Sequence, residues 1–359
     1  MKNILIIGPG KKFLSGISYY TICLANEFSK NENVSVVTLR DLVPKFLFPG
    51  SKRVGKEISN FKFDKKINVF DGVDWYWFPS IFRLPKYLKN NEVIILQWWT
   101  SACIHTYLLI KFLNIFYNKK IIFEMHEVLD VLESKILPLK IYSKIMSKLL
   151  FTKKETYVTH ANSDKIQVIK NYNINPDRVF VVPLGSFDHH KKDIKNKKHS
   201  GINILFFGLL RPYKGVEYLI KAFNRIKNEK YNLIIAGEIW EGYKIKEIIE
   251  KSPKLKKITL IDKYVSDEEV NELFNKSDVL VLPYLRASQS GAAHIALSFG
   301  IPLIVSKVGG LKESMKEYNG STFVKPKDVD GIKNAILSLK KGKRFDNPHP
   351  WSKTIKIYK

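Results

Sequence analysis

A chain of 359 residues with 45% hydrophobic and 13% aromatic content can bury a large core and is long enough for two domains, which excludes a disordered polymer. Its formal net charge of +26 would suit a polyanion, but only eight of its 60 basic residues are arginine. Base and phosphate readout leans on the flat, bidentate guanidinium, so specific nucleic-acid binding is set aside in favour of a Lys-rich proteome or attraction to an anionic surface. Two cysteines, Cys23 and Cys103, exclude a disulfide framework and fit a reducing compartment.

The chain opens directly into an apolar run, Asn3 to Ile7, without the features of a secretory signal, so a cytoplasmic location is expected. Further Val/Ile/Leu-rich runs follow at Val34 to Thr38, Val93 to Leu96, Lys120 to Phe123 and Tyr157 to Thr159. They read as parallel strands buried on both faces. Amphipathic patterns lie between them, the clearest at Ile17, Tyr20, Leu24, Ala25 and Phe28. The longest apolar stretch, Ala102 to Tyr117, is interrupted by His105, Lys111 and Asn114 and is too short to span a bilayer.

A polar, basic, His-rich stretch at 188–200 breaks the pattern and reads as a linker between a first domain at 1–187 and a second at 201–349. Alternation then restarts, with strands at Asn203 to Phe207, Leu233 to Ala236, Lys257 to Ile261, Val279 to Leu282 and Leu303 to Ser306. Val216, Leu219, Ile220, Phe223 and Ile226 line one helical face, and Ser266 with Glu269 forms a capping box. The expected architecture is α/β, two Rossmann-like doubly wound parallel sheets facing across a ligand-binding cleft.

Several strand ends carry candidate chemistry. Gly8-Pro9-Gly10 and then Ser15-Gly16 bring small residues and free amides to a helix entry, although a dinucleotide fingerprint would need glycine at Phe13. His126 falls just past a strand end, flanked by Glu127 and Glu133, which leaves open a hydrogen-bonded loop histidine, a general base and a ligand contact. Gly208-Leu209-Leu210-Arg211-Pro212-Tyr213-Lys214-Gly215 puts two cations three residues apart at a helix entry, where both can reach one diphosphate. Downstream, Gln289, Ser290 and Gly291 open a helix with small residues and free amides.

The Phe207-to-Gly215 run resembles the signature of family 4 glycosyltransferases of the GT-B fold, in which the matching Arg and Lys grip the donor diphosphate. The resemblance implies a metal-independent, retaining transfer of a hexose-type sugar from a nucleoside-diphosphate donor to a glycan or lipid-linked acceptor, in surface polysaccharide or glycoconjugate synthesis. It assigns His126 to the transferred sugar, and Ser15, Gly16, Gly208, Gln289, Ser290 and Gly291 to the donor. The family's two glutamates are absent here, their places being taken by Ala287 and Ile295. Ser288-Gln289-Ser290-Gly291 with its preceding residues resembles a branch in which Ser-Gln-Ser-Gly replaces the glutamate pattern. Val308-Gly309-Gly310-Leu311-Lys312-Glu313 resembles the family's glycine pair and acidic residue, so Glu313 is either the ribose carboxylate or an ordinary first-turn Glu. The segment from Trp351, within 350–359, resembles the family's last helix, which crosses back onto the first domain.

No cofactor or metal is expected, since no paired carboxylates follow a strand and the His189-His190 doublet falls in the linker stretch. His294, in mid-helix, reads as a packing histidine or a cleft residue. Trp75-Tyr76-Trp77 and Gln97-Trp98-Trp99 read as core or as acceptor-side surface. Leu139 to Leu150 carries an apolar face beside Lys140, Lys144 and Lys148, which fits either a core helix or a peripheral contact with anionic lipid. Two other classes stay open: a nucleotide-sugar epimerase, for which only Glu127 and Glu133 are placed, and a non-catalytic polyanion-binding scaffold.

Overall fold

The computed structural model describes residues 1–10, 16–41, 61–74, 76–128, 137–191 and 200–358. It divides into two compact units, Met1–Pro183 with Trp351–Lys359, and Leu184–Pro350. The chain thus enters the second unit ahead of the stretch expected as linker. The reason is hydrogen bonding: the Ser186 amide donates to the His349 carbonyl at 3.0 Å, and Asn347 Nδ2 donates to Ser186 Oγ at 2.8 Å.

The first unit alternates β1 (Asn3–Pro9), α1 (Gly16–Phe28), β2 (Asn33–Asp41), β3 (Asn68–Asp74), α2 (Leu84–Asn90), β4 (Val93–Trp98), α3 (Ile104–Asn114), β5 (Lys120–Met125), α4 (Leu137–Leu150), β6 (Thr156–Thr159), α5 (Asn162–Tyr172) and β7 (Val179–Val181). Its sheet runs β3-β2-β1-β4-β5-β6-β7, and every pairing is parallel. Leu5, Ile6 and Ile7 are all fully buried. Successive strand residues point to opposite faces, so both faces of the sheet are covered.

The second unit continues with β8 (Ile202–Phe207), α6 (Val216–Asn224), β9 (Tyr231–Ala236), α7 (Ile245–Glu250), β10 (Ile258–Ile261), α8 (Asp267–Asn275), β11 (Val279–Leu282), α9 (Gly291–Phe299), β12 (Leu303–Ser306), α10 (Gly309–Ser314), β13 (Ser321–Val324) and α11 (Val329–Leu337). Its parallel sheet runs β10-β9-β8-β11-β12-β13. The chain winds outward from β8 to β10 and then returns to β11 on the other side, so the strand order reverses between β8 and β11. That switch point is where open α/β sheets hold ligands. The Ser266 capping box at the start of α8 forms as the sequence predicts.

The last helix, α12 (Trp351–Thr354), and the turn Ile355–Tyr358 belong to the first unit. The Trp351 ring meets Tyr20 edge-on at 5.1 Å, and Thr354 Oγ1 donates to the Pro183 carbonyl at 3.3 Å. Among the described residues, no helix is long and apolar enough to cross a membrane.

Candidate functional site

In the second unit, the loops after β8, β9, β11 and β12 gather the small residues and cations. Gly208 follows β8 with φ +116°, and a Cβ there would lie 3.0 Å from Lys214 Nζ. Gly237 follows β9 with φ +142°, and a Cβ on it would strike the Gly208 carbonyl oxygen at 2.2 Å. The two loops then run side by side. The Leu210 amide donates to the Glu238 carbonyl, and the Trp240 amide donates to the Leu210 carbonyl, each at 2.9 Å. This pairing brings the Trp240 ring under Arg211, whose Cζ lies 3.9 Å from the ring centroid. A cation over an aromatic face is held in orientation without being neutralised.

Pro212 starts a short 3-10 turn, Pro212–Lys214, that hands over to α6 through Gly215 at φ +64°. Lys214 Nζ lies 5.3 Å from the Tyr284 ring centroid. Burial, and secondarily the Arg211 charge, pull the Lys214 pKa down to about 7. Among the described residues neither cation forms an ion pair with a carboxylate. Two half-buried cations without a counterion form a cradle for a dianion, which would restore the full charge of Lys214.

The loop from Leu282 to Gly291 closes the other side. Ser290 is buried and caps α9, its Oγ accepting from the Ala293 amide at 3.4 Å and lying 3.4 Å from Tyr284 Oη. The cap accounts for its side chain locally. Gln289 is half-buried beside it, and Gly291 is the first residue of α9. A Cβ on Gly309, at φ +39°, would strike the Ala287 carbonyl oxygen at 2.2 Å, so the glycine pair lets the β12 loop approach this one. Glu313 is half-buried in α10. Ile295, at 6% exposure, packs as an apolar residue where the family pattern has glutamate. His294 is fully buried, 6.5 Å from the His349 ring, and presents no surface to a ligand.

The first unit holds a different arrangement. His126 lies just past β5, as its sequence position predicts. Glu127 is exposed, and Glu133, like Ser15 and Trp75, lies outside the described residues. Gly16 opens α1, and among the described residues nothing lies within 4 Å of a Cβ built on it. Among the described residues, a carboxylate linked to His126 through Gln97 is Glu124, fully buried on β5. Tyr20 and Tyr358 both donate to Glu124 Oε1. Gln97 bridges onward, with Nε2 donating to Glu124 Oε2 at 2.5 Å and Oε1 against His126 Nε2. His126 Nδ1 faces His160 Nε2 at 3.2 Å, and His160 Nδ1 faces the Val182 carbonyl at 3.0 Å.

Proton counting constrains this chain. A carbonyl only accepts, so His160 Nδ1 carries a proton, and the Gln97 oxygen demands a proton on His126 Nε2. The contact between the two rings then needs one more, leaving a charged pair beside an ionised Glu124. Turning the Gln97 amide end for end gives the same proton count with no charge: Glu124 protonated, His126 protonated on Nδ1 and both rings neutral. Burial raises the Glu124 pKa to about 7, pulls His160 down to about 4, and drives His126 well below its ordinary value with help from His160. All three shifts favour the uncharged arrangement. Both ring nitrogens of His126 are engaged, by Gln97 and by His160, as in the hydrogen-bonded alternative that the sequence leaves open.

Sequence reasoning missed Trp240, Gln97, Glu124 and His160 as members of these clusters. A carboxylate inside the otherwise apolar β5 run was the available signal for Glu124, and the Gly237-to-Trp240 segment just after β9 was the signal for Trp240.

Comparisons with known proteins bear on the second unit and on the fold. Residues 187–356 match the family model described as glycosyl transferases group 1. An uncharacterized glycosyltransferase of Methanocaldococcus jannaschii is 30% identical over 189 residues, 49% of this chain and 48% of that protein. The Escherichia coli UDP-Gal:alpha-D-GlcNAc-diphosphoundecaprenol alpha-1,3-galactosyltransferase is 26% identical over 194 residues, 50% and 49% of the two chains. The chain spans about half the length of these curated relatives. Among solved structures, Thermosynechococcus elongatus sucrose-phosphate synthase superposes with a TM-score of 0.66 at 14% identity, covering 94% of this chain and 89% of that one. Anabaena HepE in complex with UDP-glucose gives 0.65 at 13%, with 94% and 89% covered. WaaG, a glycosyltransferase of lipopolysaccharide biosynthesis, gives 0.64 at 13%, with 93% and 90% covered. The fold is therefore of the GT-B type, and residues 187–356 are similar to the glycosyl transferases group 1 family.

Proposed function

We propose that this protein is a retaining glycosyltransferase, of the family 4 branch carrying Ser-Gln-Ser-Gly, that takes a hexose-type sugar from a nucleoside-diphosphate donor. The observation that carries the reading is the pair Arg211 and Lys214, two half-buried cations held at the β8 switch point with no carboxylate among the described residues to neutralise them. In this reading they bind the donor diphosphate and stabilise its charge as the sugar-to-phosphate bond breaks. The acceptor hydroxyl attacks from the same face, and a leaving phosphate oxygen takes its proton. Two fixed cations supply the charge that a divalent metal would otherwise bring, so transfer is proposed to run without one. Gly208, Gln289, Gly291 and Glu313 border the donor. Ser290 supports the site as a helix cap, and His126 stays outside the proton transfer.

The acceptor is proposed to be lipid-linked and reached from the cytoplasmic face of a membrane. Support comes from α4, whose Ile141, Tyr142, Ile145 and Leu149 are exposed while Ser147 and Leu150 are buried. Among the described residues nothing covers this apolar face, which exposed Lys144 and Lys148 flank. At the end of α3 and just beyond it, Phe112, Ile115 and Phe116 are also exposed. An apolar face edged with lysines suits an anionic bilayer surface. The E. coli relative, which acts on a diphosphoundecaprenol-linked acceptor, suggests the same class.

The deciding experiment is a thermal shift with UDP, GDP and ADP on the wild type and on Arg211→Ala/Lys214→Ala. One nucleotide at 100 times its Kd is expected to add about 2.7 kcal/mol of stability to the wild type alone. Absence of any shift would turn the assignment toward a polyanion-binding scaffold.

A further inference from the structure

The turn Asp188–His190, near the start of the second unit, packs against the N-terminus of α8 and brings two histidines to an aspartate. The His189 and His190 rings lie 3.9 Å apart, tilted by 40°, so both point to the same side of the turn. His190 is buried, and its Nδ1 lies 3.2 Å from Asp267 Oδ1. The ligand atoms of His189, His190 and Asp267 all fall within 4.8 Å of one another. Asp267 is the first residue of α8, fixed by the Ser266 capping box behind it.

From this geometry we infer a zinc-binding site formed by His189, His190 and Asp267, separate from the Arg211 and Lys214 cradle and structural in role. Two imidazoles with one carboxylate suit zinc, whereas calcium and magnesium call for oxygen ligands alone. Tetrahedral zinc with bonds of about 2.0–2.1 Å sets its ligand atoms about 3.3 Å apart. The His190-to-Asp267 separation of 3.2 Å already matches that edge, and the other two are no longer than 4.8 Å. The Phe187 ring stands edge-on to His189 at 6.0 Å, giving the site an apolar neighbour. Three protein ligands leave one tetrahedral position for water. Bound zinc would fasten the turn that follows the crossing into the second unit onto α8, so its effect is on stability and not on bond cleavage.

The test is equilibrium dialysis of the chelator-stripped full-length protein against zinc, with cobalt as a spectroscopic probe. One zinc per chain, a visible cobalt spectrum of four-coordinate type and a raised melting temperature are expected. His189→Ala and Asp267→Asn should each weaken zinc affinity by about a hundredfold while keeping the wild-type circular dichroism of the metal-free protein. Zinc binding below stoichiometry, or equal binding by both folded variants, overturns the site and leaves His190 and Asp267 as a simple ion pair. Nucleotide binding by the cradle is measured independently, so either assignment stands or falls by itself.

Discussion

The carbonyl oxygen of Pro283 occupies the space that a Cβ on Gly215 would need, 2.2 Å from it. This contact locks the turn carrying Arg211 and Lys214 to the loop after β11, an attachment reinforced by the Leu285 amide donating to the Tyr213 carbonyl at 2.8 Å. Gly215→Ala adds a steric clash with backbone to a left-handed φ of +64°. It is expected to cost about 2 kcal/mol or more, read as a lowered melting temperature, and to weaken nucleotide binding with it. An unchanged melting temperature would show that the two loops are not coupled.

Nucleotide affinity should depend on pH through Lys214. Its pKa of about 7 in the free protein rises when a diphosphate arrives, so binding takes up a proton above neutral pH. The dissociation constant is therefore expected to climb up to tenfold per pH unit above about 7. Lys214→Met should bind more weakly and show a flat profile over that range in calorimetry. The same shift has a stability sign: a lysine depressed from 10.5 to about 7 weakens the fold at low pH, and that penalty lifts as pH rises through this window.

Glu124 works in the opposite sense. With its folded pKa raised from 4.5 to about 7, its contribution is greatest below 4.5 and is lost as pH rises to 7, a difference of about 3 kcal/mol as an upper bound. Glu124→Gln keeps a neutral side chain that can accept from both tyrosines and donate to a turned Gln97. The variant is expected to lose less stability than the wild type between pH 5 and 8. Nitrogen NMR should find His126 in the Nδ1–H form in both proteins at low pH, and only the wild type should change as pH rises.

Ile145→Glu with Leu149→Glu tests the α4 surface. Both positions are exposed, at 56% and 59%, so the melting temperature should move little. Sedimentation with anionic vesicles is expected to fall at least tenfold, and wild-type binding should weaken as salt is raised. Vesicle binding that survives the double substitution would refute this face as the contact.

Much of the fold was legible because interior parallel strands announce themselves as apolar runs. The strands that escaped notice, β3, β7 and β13, are all sheet edges. They are short or half-exposed, with Asp71 and Gly72 inside β3, and they lack the double-sided burial that makes a run apolar. In the site, Arg211 and Lys214 were legible because a cation pair at a strand-turn-helix junction is a local feature. Trp240 was not, since its contact with Arg211 depends on the loops after β8 and β9 pairing across 29 positions of chain.

The sequence by itself determined the alternation of strands and helices, the restart of that alternation in a second half, and the local turn that carries two cations, because each follows from periodicity or from residues a few positions apart. Tertiary structure decided the partners. Glu124, Gln97, His126 and His160 come from β4, β5 and the loops beyond β5 and β6, and only parallel pairing of those strands sets them in one chain of hydrogen bonds. Which nitrogen of His126 holds a proton is set by that buried chain, through desolvation and the direction of each donor, and no spacing in the sequence encodes it.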